Sequence, residues 1–91
     1  MIEIARCESG FRHYTSDGSV LRGHVNRSDI GVMQINRYYH GDRAKALGID
    51  IFNMQGNMEY ARYLYNKEGV TPWNASRPCW GHSAYELALS R

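Results

Sequence analysis

Apolar side chains recur at three- and four-residue steps through Met54, Met58, Ala61, Leu64 and Tyr65, the spacing that gathers one face of an α-helix. Asn53 is a capping residue type ahead of that stretch and Gly69 can stop it, so the pattern predicts a core helix over 54–68. Pro72 prevents its immediate continuation, and Trp73 can return an aromatic ring to the core. A shorter amphipathic pattern over 1–9 runs into Gly10, a residue that accepts the positive φ ending many helices. Residues 42–47 have a helical composition, with Gly48 behind them. Between these elements, 13–27 is polar and holds Asp17-Gly18 ahead of Ser19-Val20-Leu21, which suggests a hairpin or an irregular β-rich lobe. Ile30 to Ile35 is an apolar run too short for periodicity to classify, and we read it as buried chain returning under the first helix. Residues 82–91 can form a helix on the mixed pattern of Tyr85, Leu87 and Leu89. With no repeat, low-complexity tract or linker, the elements add up to a mainly α, α+β domain with a small β lobe.

At 91 residues this is one compact domain with one core, a size that often needs a covalent or metal staple. Cys7 and Cys79 sit near opposite ends, and oxidation would close most of the chain into a loop contributing about 4 kcal/mol in the chain-entropy model. An oxidised pair points outside the reducing cytosol; two unpaired buried thiols are the other reading. A zinc set assembled from Cys7, Cys79, His82 and another histidine has only one close ligand pair, and neither Cys-x-x-Cys nor His-Glu-x-x-His is present. We therefore expect no metal and no cofactor. The net charge of +2, with scattered Lys and Arg, argues against nucleic acid and mildly favours an acidic polymer. No apolar run approaches the ~20 residues that span a bilayer. No charged-then-apolar signal peptide opens the chain, so export would require a preceding segment, cell lysis or another component.

Glu8 falls in the last turn of the first predicted helix, just before Ser9-Gly10-Phe11. The negative end of the helix dipole and the removal of water by Phe11 would both favour its protonated form. A general acid that protonates a glycosidic oxygen near neutral pH must be in that form. Asp29 is a possible second carboxylate across a cleft, or a turn residue bonding its own backbone. Gln34 offers a donor and an acceptor to an N-acetyl group or sugar hydroxyls, or to buried backbone. As a group, Tyr60, Tyr63 and Tyr65 suit core packing better than a sugar platform, although Tyr63 can serve both. Of the adjacent Tyr38 and Tyr39, at most one can face a cleft. His24 and His40 read as solvated loop residues.

Cys7-Glu8-Ser9-Gly10-Phe11 followed by Asp29-Ile30-Gly31-Val32-Met33-Gln34-Ile35-Asn36 resembles the catalytic-helix and Gly-hydrophobic-hydrophobic-Gln-Ile motifs of the lysozyme-like superfamily. Its Glu-Ser and Gly-Val-Met-Gln parts are similar to those of soluble lytic transglycosylases. The Asp-to-Asn stretch is similar to the animal lysozyme pattern, with Ile30 replacing an aromatic. Asn57, Ala61-Arg62-Tyr63-Leu64 and Pro72-Trp73 resemble later transglycosylase segments, at a shorter Asn57-to-Tyr63 interval than usual.

The resemblance covers residue 2 to about 81, which divides the chain into a catalytic domain over 1–81 and a tail over 82–91. It implies a compact lysozyme-like fold with a cleft beside the β lobe. It also implies Glu8 as catalytic acid, Asp29 as the second carboxylate of the hydrolase branch, and Gln34 and Tyr63 as substrate-binding residues. Asn36 joins them by proximity. The implied enzyme is a monomeric, extracytoplasmic glycosidase cutting the β-1,4 bond between N-acetylmuramic acid and N-acetylglucosamine in peptidoglycan strands, as lytic transglycosylase or muramidase. The competing reading is a catalytically weak glycan-binding or structural module of a cell envelope or virion.

Overall fold

A computed structural model describes residues 1–81, so the expected tail over 82–91 lies outside the described residues. The opening amphipathic stretch forms helix α1 (Ile2–Ser9), which turns Ile4 and Ala5 into the core. It stops at Gly10, whose φ of 63° aims the Gly10 and Phe11 N–H groups back at the carbonyls of Arg6 and Ala5, at 2.8 and 3.4 Å. Glu8 thereby sits in the final turn, as its sequence context requires.

The polar stretch after α1 is held by scattered antiparallel bridges, Tyr14 to Val20 and Arg22 to Ile30, instead of long strands. Around Asp17-Gly18 the chain reverses, with Thr15 N–H bonded to the Ser19 carbonyl at 2.7 Å and Ser19 N–H to the Asp17 carboxylate at 3.0 Å. Two short strands follow, β1 (Asp29–Ile30) and β2 (Ile35–Asn36), antiparallel with Asp29 opposite Asn36 and Ile30 opposite Ile35. The apolar run is buried as expected, and its form is this hairpin, with residues 31–34 as the loop.

Gly31 is required at the hairpin's first loop position. Its φ is 76°, and a Cβ there would lie 2.4 Å from the His13 ring and 2.6 Å from the Asn57 amide nitrogen. Both crowding residues brace the loop. His13, 3% exposed, accepts the Val32 N–H at Nδ1 (3.0 Å), leaving Nε2 to donate to the Phe52 carbonyl at 2.9 Å. Asn57, fully buried, accepts the Met33 N–H at 2.8 Å and donates to the carbonyls of Ile30 and Ile51 at 2.8 and 2.9 Å. Backbone groups that the hairpin cannot pair internally are thus paired from α1's exit and from α3 (Met54–Glu68).

Helix α2 (Arg37–Ala46) begins five residues before the predicted start at Asp42. Asn36 supplies the cap, accepting the Tyr39 N–H at 3.1 Å, and Gly41 is carried inside the helix. Helix α3 has the predicted bounds and the predicted cap, Asn53 accepting the Gly56 N–H at 2.6 Å. Its buried face differs from expectation: Gly56, Asn57, Tyr60, Ala61 and Leu64 point inward, while Met54, Met58 and Tyr65 are about half exposed. The stripe chosen from hydrophobicity alone is displaced because a buried amide at Asn57 and a bare backbone at Gly56 take two inward positions. A Cβ on Gly56 would meet the Asp50 carbonyl oxygen at 1.9 Å.

After α3 comes a 3-10 segment, Thr71–Ser76, in which Trp73 returns to the core at 2% exposure and donates its indole N–H to the Met33 carbonyl at 2.9 Å. Helical residues 77–81 follow. Cys7 and Cys79 are bridged, with an S–S length of 2.02 Å and Cα atoms 6.0 Å apart, tying this segment to the last turn of α1. The architecture is mainly helical with a two-stranded antiparallel sheet. Among the described residues no helix is long and apolar enough to cross a membrane.

Candidate active site

Helix α1 borders two cavities of different character. The larger, about 640 Å³, is walled by Met1, Ile2, Phe11, Met54, Met58 and Tyr65 and carries no carboxylate among the described residues. The smaller, about 320 Å³, contains Glu8, Asp29, Gln34 and Asn36, four of the residues singled out from sequence. Of the two cavities beside α1, the smaller is the one in which two carboxylates meet amide side chains. Its apolar part is formed by Ile35, Leu64, Pro72 and Trp73, and its polar part also includes Asn26, Tyr39 and His40.

Each carboxylate is held by a different element. Asp29 opens β1, and its Oδ1 accepts the amide of its cross-strand partner Asn36 at 3.0 Å. Asn36 thus orients the carboxylate with Nδ2 while Oδ1 caps α2. Glu8 comes from α1 and accepts a hydrogen bond at Oε2 from the Ser76 hydroxyl. Burial pushes the Glu8 carboxyl above its ordinary value, the Ser76 bond opposes that rise, and the negative charge of Asp29 adds to it. Expulsion of water does come from aromatic and aliphatic neighbours, but not from Phe11. That ring is half exposed on the wall of the larger cavity, because Phe11 takes φ 65° immediately after Gly10 and leaves α1 on the other side.

Gln34, at φ 50°, closes the hairpin loop by donating from Nε2 to the Gly31 carbonyl at 2.8 Å, so it lines the cleft and serves backbone at once. Tyr63 does not line the cleft. It is half-buried with its ring 5.4 Å from that of Tyr60 and the Lys67 ammonium 5.7 Å above it, a packing position. Of the tyrosine pair, Tyr39 faces the cleft and Tyr38 does not. His40 is not a loop residue: it lies in α2, half-buried, sharing a 3.1 Å hydrogen bond with the Tyr60 hydroxyl. Burial lowers the His40 pKa from its ordinary value, with Glu68 opposing and Arg43 adding, and burial raises that of Tyr60.

Ser76, Asn26 and His40 were not selected from the sequence as site residues, and Tyr39 only as one of an adjacent pair. A signal for two of them existed: once Asn36 is recognised as a cap, Tyr39 and His40 fall three and four residues along the same helix, on its side. No such local signal marks Ser76, which reaches Glu8 across most of the chain. The disulfide takes both sulfurs out of any thiolate role, and among the described residues no group of three His, Cys, Asp or Glu side chains is placed to hold a metal ion.

Comparison with known proteins finds no matching family model, no matching curated protein and no matching solved structure. The chemistry of the cleft is therefore the ground on which function has to be argued.

Proposed function

We propose that the chain is a lysozyme-like, peptidoglycan-cleaving glycosidase, acting on the β-1,4 bond between N-acetylmuramic acid and N-acetylglucosamine with Glu8 as general acid. The observation that carries this reading is a partly buried carboxyl with a raised pKa in a cleft that it shares with a second carboxylate and three amide side chains. Amides at Asn26, Gln34 and Asn36 line the cleft, and beyond the protein bonds each already makes, the second amide hydrogen and second lone pair of each are left for an acetamido sugar, over an apolar base that can take a sugar face. The disulfide supports an extracytoplasmic site of action.

In this mechanism neutral Glu8 gives its proton to the leaving glycosidic oxygen as oxocarbenium character develops at the muramyl carbon. Asp29 stabilises or covalently traps that positive centre in the hydrolase branch, and water, deprotonated by Glu8, completes the reaction. In the transglycosylase branch the muramyl 6-hydroxyl attacks instead, again losing its proton to Glu8, and the product is a 1,6-anhydro end. The presence of Asp29 in the same cleft as Glu8 and its fixation by Asn36 keep the two-carboxylate branch in play.

Mass spectrometry of peptidoglycan digests made with wild type, Glu8→Gln and Asp29→Asn tests the proposal. Glu8→Gln should fold and bind glycan yet lose cleavage by a hundredfold or more, the usual weight of a general acid. Activity of the wild type should fall as pH rises through the raised Glu8 pKa, because only the protonated form can donate. Anhydromuramyl ends would identify the transglycosylase, reducing ends the hydrolase, and a severe loss in Asp29→Asn the two-carboxylate route. Glycan binding without any product from wild type would leave the binding-module reading in its place.

A further inference from the structure

We infer that Ser76 is a positioning residue for Glu8, fixing which carboxyl oxygen keeps the acidic proton and stabilising the carboxylate that remains after the proton has left. This role presupposes the glycan-cleaving reading of the cleft. Three contacts define it. The Ser76 hydroxyl bonds Glu8 Oε2; its oxygen accepts the Trp80 indole N–H at 3.0 Å; and the Trp73 carbonyl lies 3.1 Å away. A hydroxyl has one proton and two acceptor sites. With the indole filling one acceptor site, that proton has two destinations, the Glu8 carboxyl or the Trp73 carbonyl.

The closer contact, to Glu8 Oε2, takes it. An ionised carboxylate is the stronger acceptor and holds the hydroxyl proton at Oε2. In the acid form, the same contact leaves the dissociable proton on Oε1, the oxygen with no bond to a protein group among the described residues, available to the leaving glycosidic oxygen in the cleft. As that proton transfers, the negative charge growing on Glu8 meets a donor already in place, the kind of preorganised partner that acts most strongly in the transition state. Ser76 keeps its own proton throughout, so the transferred proton comes entirely from Glu8. Burial alone would make Glu8 a weak acid; the Ser76 bond moderates that.

The serine is itself held in register. Cys7 immediately precedes Glu8, and its disulfide partner Cys79 lies between Ser76 and Trp80 in the segment that meets α1. The covalent link thus brings the hydroxyl and the indole donor behind it to the last turn of the acid's helix. A local sequence motif could not do this, since Ser76 is separated from Glu8 by nearly the whole domain.

The test pairs kinetics with a titration that needs no substrate. In Ser76→Ala, kcat should fall about tenfold, the weight of one hydrogen bond to a charged group made mainly in the transition state, with KM unchanged. The alkaline limb of the pH profile should move to higher pH, because a bond favouring the ionised form has been removed. Ser76→Thr should restore both, and Trp80→Phe, which keeps a ring but loses the indole donor, should shift both part of the way. An unmoved limb with unchanged kcat, a loss confined to KM, or failure of threonine to rescue would overturn the inference. If Ser76→Ala does not fold, Ser76→Thr and Trp80→Phe decide it by the same criteria. Carbon NMR titration of the Glu8 carboxyl separates this inference from the functional reading beneath it. An upward move in Ser76→Ala supports the contact even if wild type leaves peptidoglycan intact, and an unmoved titration overturns it even if wild type cleaves.

Discussion

One amide group, that of Asn57, pairs three backbone groups from two different segments while fully buried. Replacing it with Asp keeps the acceptor for Met33 N–H but strips both donors and places a carboxyl where water does not reach. The Asn57→Asp protein should lose about 4 kcal/mol at pH 7, the cost of unpaired carbonyls plus a buried charge. Burial raises such a carboxyl's pKa, so its neutral form contributes stability in acid that is lost as pH rises through that value. Urea denaturation midpoints should therefore show a smaller deficit against wild type at pH 4 than at pH 7, and an equal deficit would mean that the new carboxyl escapes to solvent. Residues of this kind also mark how far sequence carries. Glu8, Asp29, Gln34 and Asn36 could be picked out because their chemistry is written in contiguous stretches, and they line one cleft. Tyr63 shared that contiguity but packs against Tyr60 instead, since its direction is set by the rotation of α3, which no single residue encodes.

That rotation belongs to the scale of elements. Helix existence and ends were readable wherever a cap and a stop flank an amphipathic stretch, as at Asn53 and Gly69. They were misread where the cap doubles as a strand residue: Asn36 ends β2 and begins α2, so the first turn of the helix looked like loop. The two capping asparagines make a controlled comparison. Asn53→Ala and Asn36→Ala should each cost about 1 kcal/mol, roughly 4–8 °C in Tm for a domain of this size, measured by circular dichroism melts. Only Asn36→Ala also releases Asp29 from its cross-strand bond, so its cleavage rate should fall while that of Asn53→Ala holds at the wild-type value. Equal rates in the two variants would show that the orientation of Asp29 is immaterial to turnover.

For the molecule as a whole, α1, the hairpin loop and α3 contribute walls to both cavities, an apolar groove and a polar cleft. The disulfide closing 72 residues was legible as a possibility from the placement of two cysteines, whereas the division into two unlike cavities was not, because it depends on which face each shared element turns. All four methionines line the apolar groove, at different depths. Met1, Met54 and Met58 on the groove are 43%, 48% and 52% exposed, while Met33, whose carbonyl anchors Trp73, is 3% exposed. Dilute peroxide should oxidise the first three readily to sulfoxides and spare the fourth for as long as the domain stays folded, a pattern that peptide mass mapping would resolve. Rapid oxidation of Met33 in native protein would contradict the packing described here. With the packing as it stands, an oxidant reaching the groove would be consumed at the three outer thioethers first, and sulfoxide at Met33 would mark molecules that had opened.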